Sequence, residues 1–164
     1  MNLQRIAKIL ENKNELIINE VVLDTAQKNK QIIYGAKAYN VQSPTNLRKQ
    51  TVDYDVLTKK PKKFATETAE TLRRRLGKDV TVVKGSHKGT YRVKLNNETI
   101  VDYTQIKGKI DTKNSWGNDY RSLKSIKRNA TRLSNNPKLA YRRKKDLDTL
   151  EKIRKIQRLN TFDF

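Results

Sequence analysis

The chain has 164 residues and not one cysteine. That absence excludes a disulfide framework and a cysteine-built zinc site, and it leans towards a reducing compartment. Long hydrophobic runs are missing too: nothing approaches the roughly 18 consecutive apolar residues from which a membrane span is read. The opening stretch, residues 1–14, is amphipathic and does not read as a secretion signal, so no membrane partner is expected. Acidic residues are few, 17 against 37 Lys and Arg, for a formal charge of +20. A field of that sign attracts polyanions, and nucleic acid is the partner it implies. Histidine is reduced to His87, which sits in a glycine-flanked turn and reads as an exposed loop residue. Hydrophobic residues make up only 35% of the chain. They fall in periodic segments, however, so a single folded domain with a modest core is expected.

Those apolar residues set the elements. Ile6, Leu10, Ile17 and Val21 recur near helical spacing, which predicts either one helix over 3–28 or two with a break at 11–14. Residues 31–34 read as a short buried strand ending at Gly35, 36–41 as the first turns of a helix, and 52–57 as the next strand. Pro61 suits a first helical turn, with Ala65, Ala69, Leu72 and Leu76 as the inner stripe and Gly77 as the stop. Strands over 80–83, 91–95 and 99–106, separated by two turns, predict an antiparallel meander. Residues 107–117 read as a loop, with Trp116 expected to dock into the core rather than to stack on a base. From Tyr120 onward the pattern is helical and very basic. The expected class is α+β, a mixed β-sheet backed by helices. Segment 1–30 is helical, 31–112 is the core, and the basic helical C-terminal portion, 113–164, packs on it. The terminal Phe162-Asp163-Phe164 has no readable role.

Chemistry is suggested first by Asp53-Tyr54-Asp55. In a strand, residues i and i+2 share a face, so both carboxylates project together. They repel unless a cation lies between them, and hard oxygen ligands of this kind suit magnesium. The flanking Val52, Val56 and Leu57 place the pair on a candidate core strand, where an unpaired charge is costly. A second strand candidate carries Asp102 among apolar neighbours. Upstream, Tyr34-Gly35-Ala36 ends a strand and opens a helix, where backbone N–H groups can cradle a phosphate and glycine allows close approach.

In this order, strand, Gly-Ala, helix, Asp-x-Asp and a later lone Asp, the residues resemble the polymerase β-like nucleotidyltransferase superfamily. Residues 32–40 followed by 51–55 are similar to its compact viral poly(A) polymerase-like branch. The stretch Arg142-Arg143-Lys144-Lys145-Asp146-Leu147 resembles the late basic helix of AbiEii-type nucleotidyltransferase toxins. The resemblance implies metal-dependent transfer of a nucleotide from an NTP to a hydroxyl at an RNA or DNA 3′ end, RNA before DNA. It implies Mg2+ or Mn2+ held by Asp53, Asp55 and Asp102 as the catalytic residues. Gly35, Ala36, Lys37, Asn40 and Arg48 would lie around the nucleotide, and Arg142, Arg143, Lys144 and Lys145 on the nucleic acid. Ala36 departs from the usual Gly or Ser, which removes a hydroxyl contact and keeps the backbone N–H. No counterpart of the large second domain of full-length poly(A) polymerases is seen, so a protein partner subunit is expected for processive tailing. The expected setting is cytoplasmic or virion-associated. Two alternatives stand beside this reading: a non-catalytic, nucleic-acid-binding or virion-associated structural subunit of the same fold, and a toxin-type nucleotidyltransferase that modifies tRNA.

Overall fold

The computed structural model describes residues 2–161, so the Phe162-Asp163-Phe164 end lies outside the described residues. The elements run α1 (Leu3–Lys28), β1 (Ile32–Tyr34), α2 (Gly35–Val41), β2 (Tyr54–Thr58), α3 (Pro61–Leu76), β3 (Val80–Lys84), β4 (Thr90–Leu95), β5 (Glu98–Gln105), β6 (Thr112–Ser115), β7 (Asn118–Arg121), α4 (Leu123–Ser134) and α5 (Arg143–Thr161). The strands form one mixed sheet in the order β3-β4-β5-β2-β1-β7-β6. β2 with β5 and β1 with β7 are parallel pairs, and the other neighbours are antiparallel. The α+β class and the basic helical C-terminal portion stand as expected, and β3, β4 and β5 form the predicted meander.

Local chemistry explains the elements. α3 opens on Pro61, whose missing N–H costs nothing in the first turn, and closes on Gly77 in the left-handed conformation. Its Phe64, Ala65, Thr68, Ala69 and Leu72 are buried against the sheet. The small alanines let the helix lie close, and the Tyr103 hydroxyl beneath it is satisfied by Thr68 Oγ1 at 2.8 Å. The β4–β5 turn places Asn96 and Asn97 at positive φ, the conformation that a two-residue hairpin turn demands.

Of the two readings of the N-terminal segment, the single helix holds: α1 is continuous through 11–14, capped by the Asn2 side chain, which accepts from Gln4 N–H. Two expectations fail. Residues 107–117 are not all loop, because β6 is the outer strand of a hairpin with β7. Thr112, Lys113 and Asn114 are exposed on that edge, so no apolar alternation announces the strand. Trp116 does not dock: it sits in the hairpin turn at φ 53° and is 96% exposed. The sheet therefore runs past residue 112, and the helical portion begins at Leu123.

The second half is fixed over the first by a small apolar cluster. Tyr39 of α2 packs against Ile153 and Ile156 of α5, with Leu123 and Ile126 of α4 alongside. The Tyr39 hydroxyl donates to the Leu47 carbonyl at 2.7 Å. This anchoring holds α5 against α2 and α4.

Candidate active site

Strand register builds the site. Tyr34 on β1 pairs with Asp55 on β2, Asp55 with Asp102 on β5, and Asp102 with Arg92 on β4. Cross-strand partners share one face of a sheet, so side chains from four strands form a row. β7 extends it. Ile33 pairs with Tyr120, the next pair brings Arg121 beside Tyr34, and the Arg121 guanidinium lies 5.9 Å from the Tyr34 ring centroid. The row across the sheet is Arg121, Tyr34, Asp55, Asp102, Arg92.

The two central carboxylates are not equivalent. Burial first, then the charges of Asp53 and Asp102, push the Asp55 carboxyl up to about 7, while Lys145 and Arg92 draw it down. No hydrogen bond contributes to that shift. Asp102 is 8% exposed and held through both oxygens, with Arg92 Nε and Nη2 each donating at 2.8 Å. Asp53 precedes β2, half-buried. Gly35 fits against this pair only because it has no side chain: a Cβ there would overlap Asp55 Oδ2 and stand 3.1 Å from Asp55 Cγ. Its φ of +65° also favours glycine.

Among the described residues, no group of three or more His, Cys, Asp or Glu converges as a ready-made metal site. Asp55 and Asp102 do share a face and a register position, and Asp53 acts electrostatically on Asp55. The donor set is nonetheless one that a hard divalent cation takes, because Asp55 is a half-buried carboxylate with no counter-cation bonded to it among the described residues. Asp102 carries a constraint of its own. Both oxygens of Asp102 are engaged by Arg92, so this carboxylate must share or release that partner to join Asp55 on a cation.

A cleft of about 670 Å³ opens over the row, within the size range of small-molecule sites. It is lined by Gly35, Ala36, Asp53, Asp55, Asp102, Arg142 and Lys145 of the expected residues. The other expected residues lie elsewhere. Lys37 packs its Nζ 4.7 Å over the Tyr54 ring. Asn40 braces the backbone of Lys49 at both N–H and carbonyl. Arg48 is exposed and donates to the Ser43 carbonyl. Arg143 and Lys144 are exposed on the first turn of α5. His87, read as a turn residue, is exposed and borders the cleft.

Residues 20–139 match the family model described as poly(A) polymerase catalytic subunit. The chain belongs to that family. The solved structure of the Megavirus polyadenylate synthase is similar in fold, with a TM-score of 0.76 at 20% identity, over 87% of this chain and 31% of that one. The chain thus spans about a third of that protein's length. Among curated protein sequences nothing matches.

On this poly(A) polymerase fold, several cleft residues are not among the expected site residues: Lys49, Arg92, Arg121 and Thr149, together with Asp146, which the sequence offers only within the basic-helix resemblance. Lys49 donates through Nζ to Thr149 Oγ1, and burial lowers its pKa, with Lys145 and Lys152 adding to the effect. Arg142 is neutralised by Asp146 in a bidentate pair at 2.9 and 3.1 Å. Ile126, Ala130 and Leu133, at i, i+4 and i+7 on α4, give the cleft one apolar wall. Arg92 and Arg121 could be singled out only by knowing which strands neighbour which.

Proposed function

We propose that this chain is a metal-dependent nucleotidyltransferase of the poly(A) polymerase type, which transfers a nucleotide from an NTP to the 3′ hydroxyl of RNA. The observation that carries the reading is the register pair Asp55 and Asp102 on adjacent parallel strands, with the side-chain-free Gly35 pressed against Asp55. The family match supports the same reaction class. Asp53, Asp55 and Asp102 would hold divalent cations, Mg2+ or Mn2+, which supply activation of the attacking hydroxyl and neutralisation of the triphosphate.

The remaining work falls to the chain's own groups. Gly35 and Ala36 present backbone to the cleft, next to Asp55. Tyr34 is held upright by its hydroxyl bond to Thr104 Oγ1 at 3.1 Å. Lys145 and Lys49 bring positive charge to a centre that otherwise repels the nucleotide. The Ile126, Ala130 and Leu133 wall suits the flat apolar face of a base. Exposed Arg143 and Lys144 suit the RNA backbone. A partner subunit and a cytoplasmic or virion-associated setting belong to the same proposal.

The bidentate Arg92–Asp102 pair is the observation that favours a non-catalytic, RNA-binding role, because it neutralises one of the three carboxylates. Manganese titration followed by electron paramagnetic resonance decides between the two. The enzyme reading expects bound Mn2+ that Asp53→Asn with Asp55→Asn abolishes. Equal Mn2+ uptake by the wild type and the double variant, or none by either, removes the carboxylates from the account.

A further inference from the structure

The row that carries the carboxylates ends in an arginine on each side, and the two arginines are in opposite electrostatic states. Arg92 is matched by Asp102 through two hydrogen bonds. Arg121 is matched by nothing acidic. Its guanidinium makes no hydrogen bond or ion pair among the described residues, and its Nε is fully buried without a partner. The charged side chain acting on it is another cation, Arg132, and its soft neighbour is the Tyr34 ring. Burial, then Arg132, work against its positive charge, and its pKa is lowered.

This arrangement is held in place. The Arg121 carbonyl accepts from Gln42 Nε2 at 2.8 Å, and Gln42 Oε1 accepts from the Leu123 N–H at 3.1 Å. The end of β7 and the start of α4 are thereby clamped to α2, and the guanidinium faces the cleft. A desolvated, unpaired cation lowers stability unless something neutralises it. The Tyr34 ring is the one favourable contact of the Arg121 guanidinium among the described residues, and it leaves the hydrogen-bonding fork unused, as a ligand site would. An arginine fork suits a phosphate, which it can bind through two parallel hydrogen bonds.

We infer that Arg121 receives the triphosphate of the incoming nucleotide. This rests on the proposed nucleotidyltransferase function and names a residue for its substrate. The location selects the triphosphate over the phosphates of the RNA strand. Arg121 lies half-buried inside the cleft, two strands from Asp55 with Tyr34 between them, whereas the cations offered to a long polyanion, Arg143 and Lys144, stand exposed on α5. The phosphate chain is the extended anionic part of the substrate, suited to reach from the carboxylates to a cation two strands along the same face.

The test uses the full chain and calorimetric titration of magnesium tripolyphosphate, a non-hydrolysable ATP analogue and a single-stranded RNA oligonucleotide. Arg121→Gln should weaken tripolyphosphate and the ATP analogue on the order of ten- to a hundredfold, the range for losing a charge-assisted pair. Arg121→Lys should fall between, and RNA affinity should be unchanged in both. The Tm of ligand-free Arg121→Gln should equal or exceed that of the wild type, which a structural arginine would not allow. The inference is overturned if Arg121→Gln binds tripolyphosphate like the wild type, if it loses RNA affinity instead, or if the wild type takes up no tripolyphosphate. Arg121-dependent tripolyphosphate binding without nucleotide transfer from any NTP would keep Arg121 as a triphosphate-binding residue and sink the enzyme reading.

Discussion

Gly35→Ala separates a backbone effect from a site effect, because a second glycine provides the control. Gly35 has φ +65°, and a Cβ there would overlap Asp55 Oδ2 and lie 3.1 Å from Cγ and 3.3 Å from Cβ of Asp55. Gly77 has φ +61° and no atom within 4 Å of an added Cβ. Holding alanine in the left-handed region costs about 1–2 kcal/mol at either position. At about 2–4 °C per kcal/mol for a chain of this size, each variant should lose roughly 2–8 °C in Tm. Only at Gly35 must the neighbouring carboxylate also swing away. Displacing one charged ligand should weaken Mn2+ and nucleotide binding by about tenfold or more. The assay is a thermal melt of each variant beside a manganese titration read by electron paramagnetic resonance. Equal Mn2+ affinity in Gly35→Ala and Gly77→Ala would refute the reasoning, because the close approach to Asp55 would then have no bearing on the site.

Asp55 predicts a pH signature in the metal-free chain. Its carboxyl is raised from 3.8 to about 7. The folded state therefore holds a proton that the unfolded state has lost, and stability should fall as pH rises from about 4 to about 7, by at most about 4 kcal/mol. Asp55→Asn should flatten that fall and raise Tm at pH 8, measured by melts across pH; an unchanged slope would contradict it. Changing Arg142, Arg143, Lys144 and Lys145 together to Gln should weaken RNA binding across sequences and shallow its salt slope, by about 0.7 log units per tenfold salt for each single-strand phosphate no longer neutralised. Arg142 should contribute least, because Asp146 already neutralises it, and the Arg143→Gln with Lys144→Gln pair, exposed and outside the cleft lining, should leave Mn2+ affinity unchanged. Trp116→Asn should raise Tm by a few degrees, because asparagine tolerates the positive φ that Trp116 adopts at 53°. A fall in Tm would mean that the exposed indole has a packing role.

The parts of the fold that are legible in the sequence are those where side-chain pattern and burial agree. α3 shows its cap, its stripe and its stop, because Pro61 and Gly77 act locally and the alanines face one sheet. Asp55 and Asp102 stand out because each interrupts an apolar strand, and the sheet then sets them side by side. β6 is invisible because Thr112-Lys113-Asn114-Ser115 lies on an edge and buries no alternating face. Trp116 misleads because a large aromatic normally signals core, while here a two-residue turn fixes its position. Arg92 and Arg121 escape for a different reason. Their roles come from register with β5 and β1, and the β1–β7 pairing is parallel and long-range, so no local spacing encodes it. Asn40 and Arg48 sit in the right stretch, yet one braces the Lys49 backbone and the other bonds to the Ser43 carbonyl.

The most direct measurement of the central claim is incorporation of label from each of the four NTPs into a short single-stranded RNA, with Mg2+ or Mn2+, resolved by gel. The wild type should extend the RNA by its 3′ end only with a divalent cation present. Asp53→Asn with Asp55→Asn should extend nothing while binding the same RNA as well as the wild type or better. Full extension by the double variant, or none by the wild type with any NTP and either metal, would contradict the account.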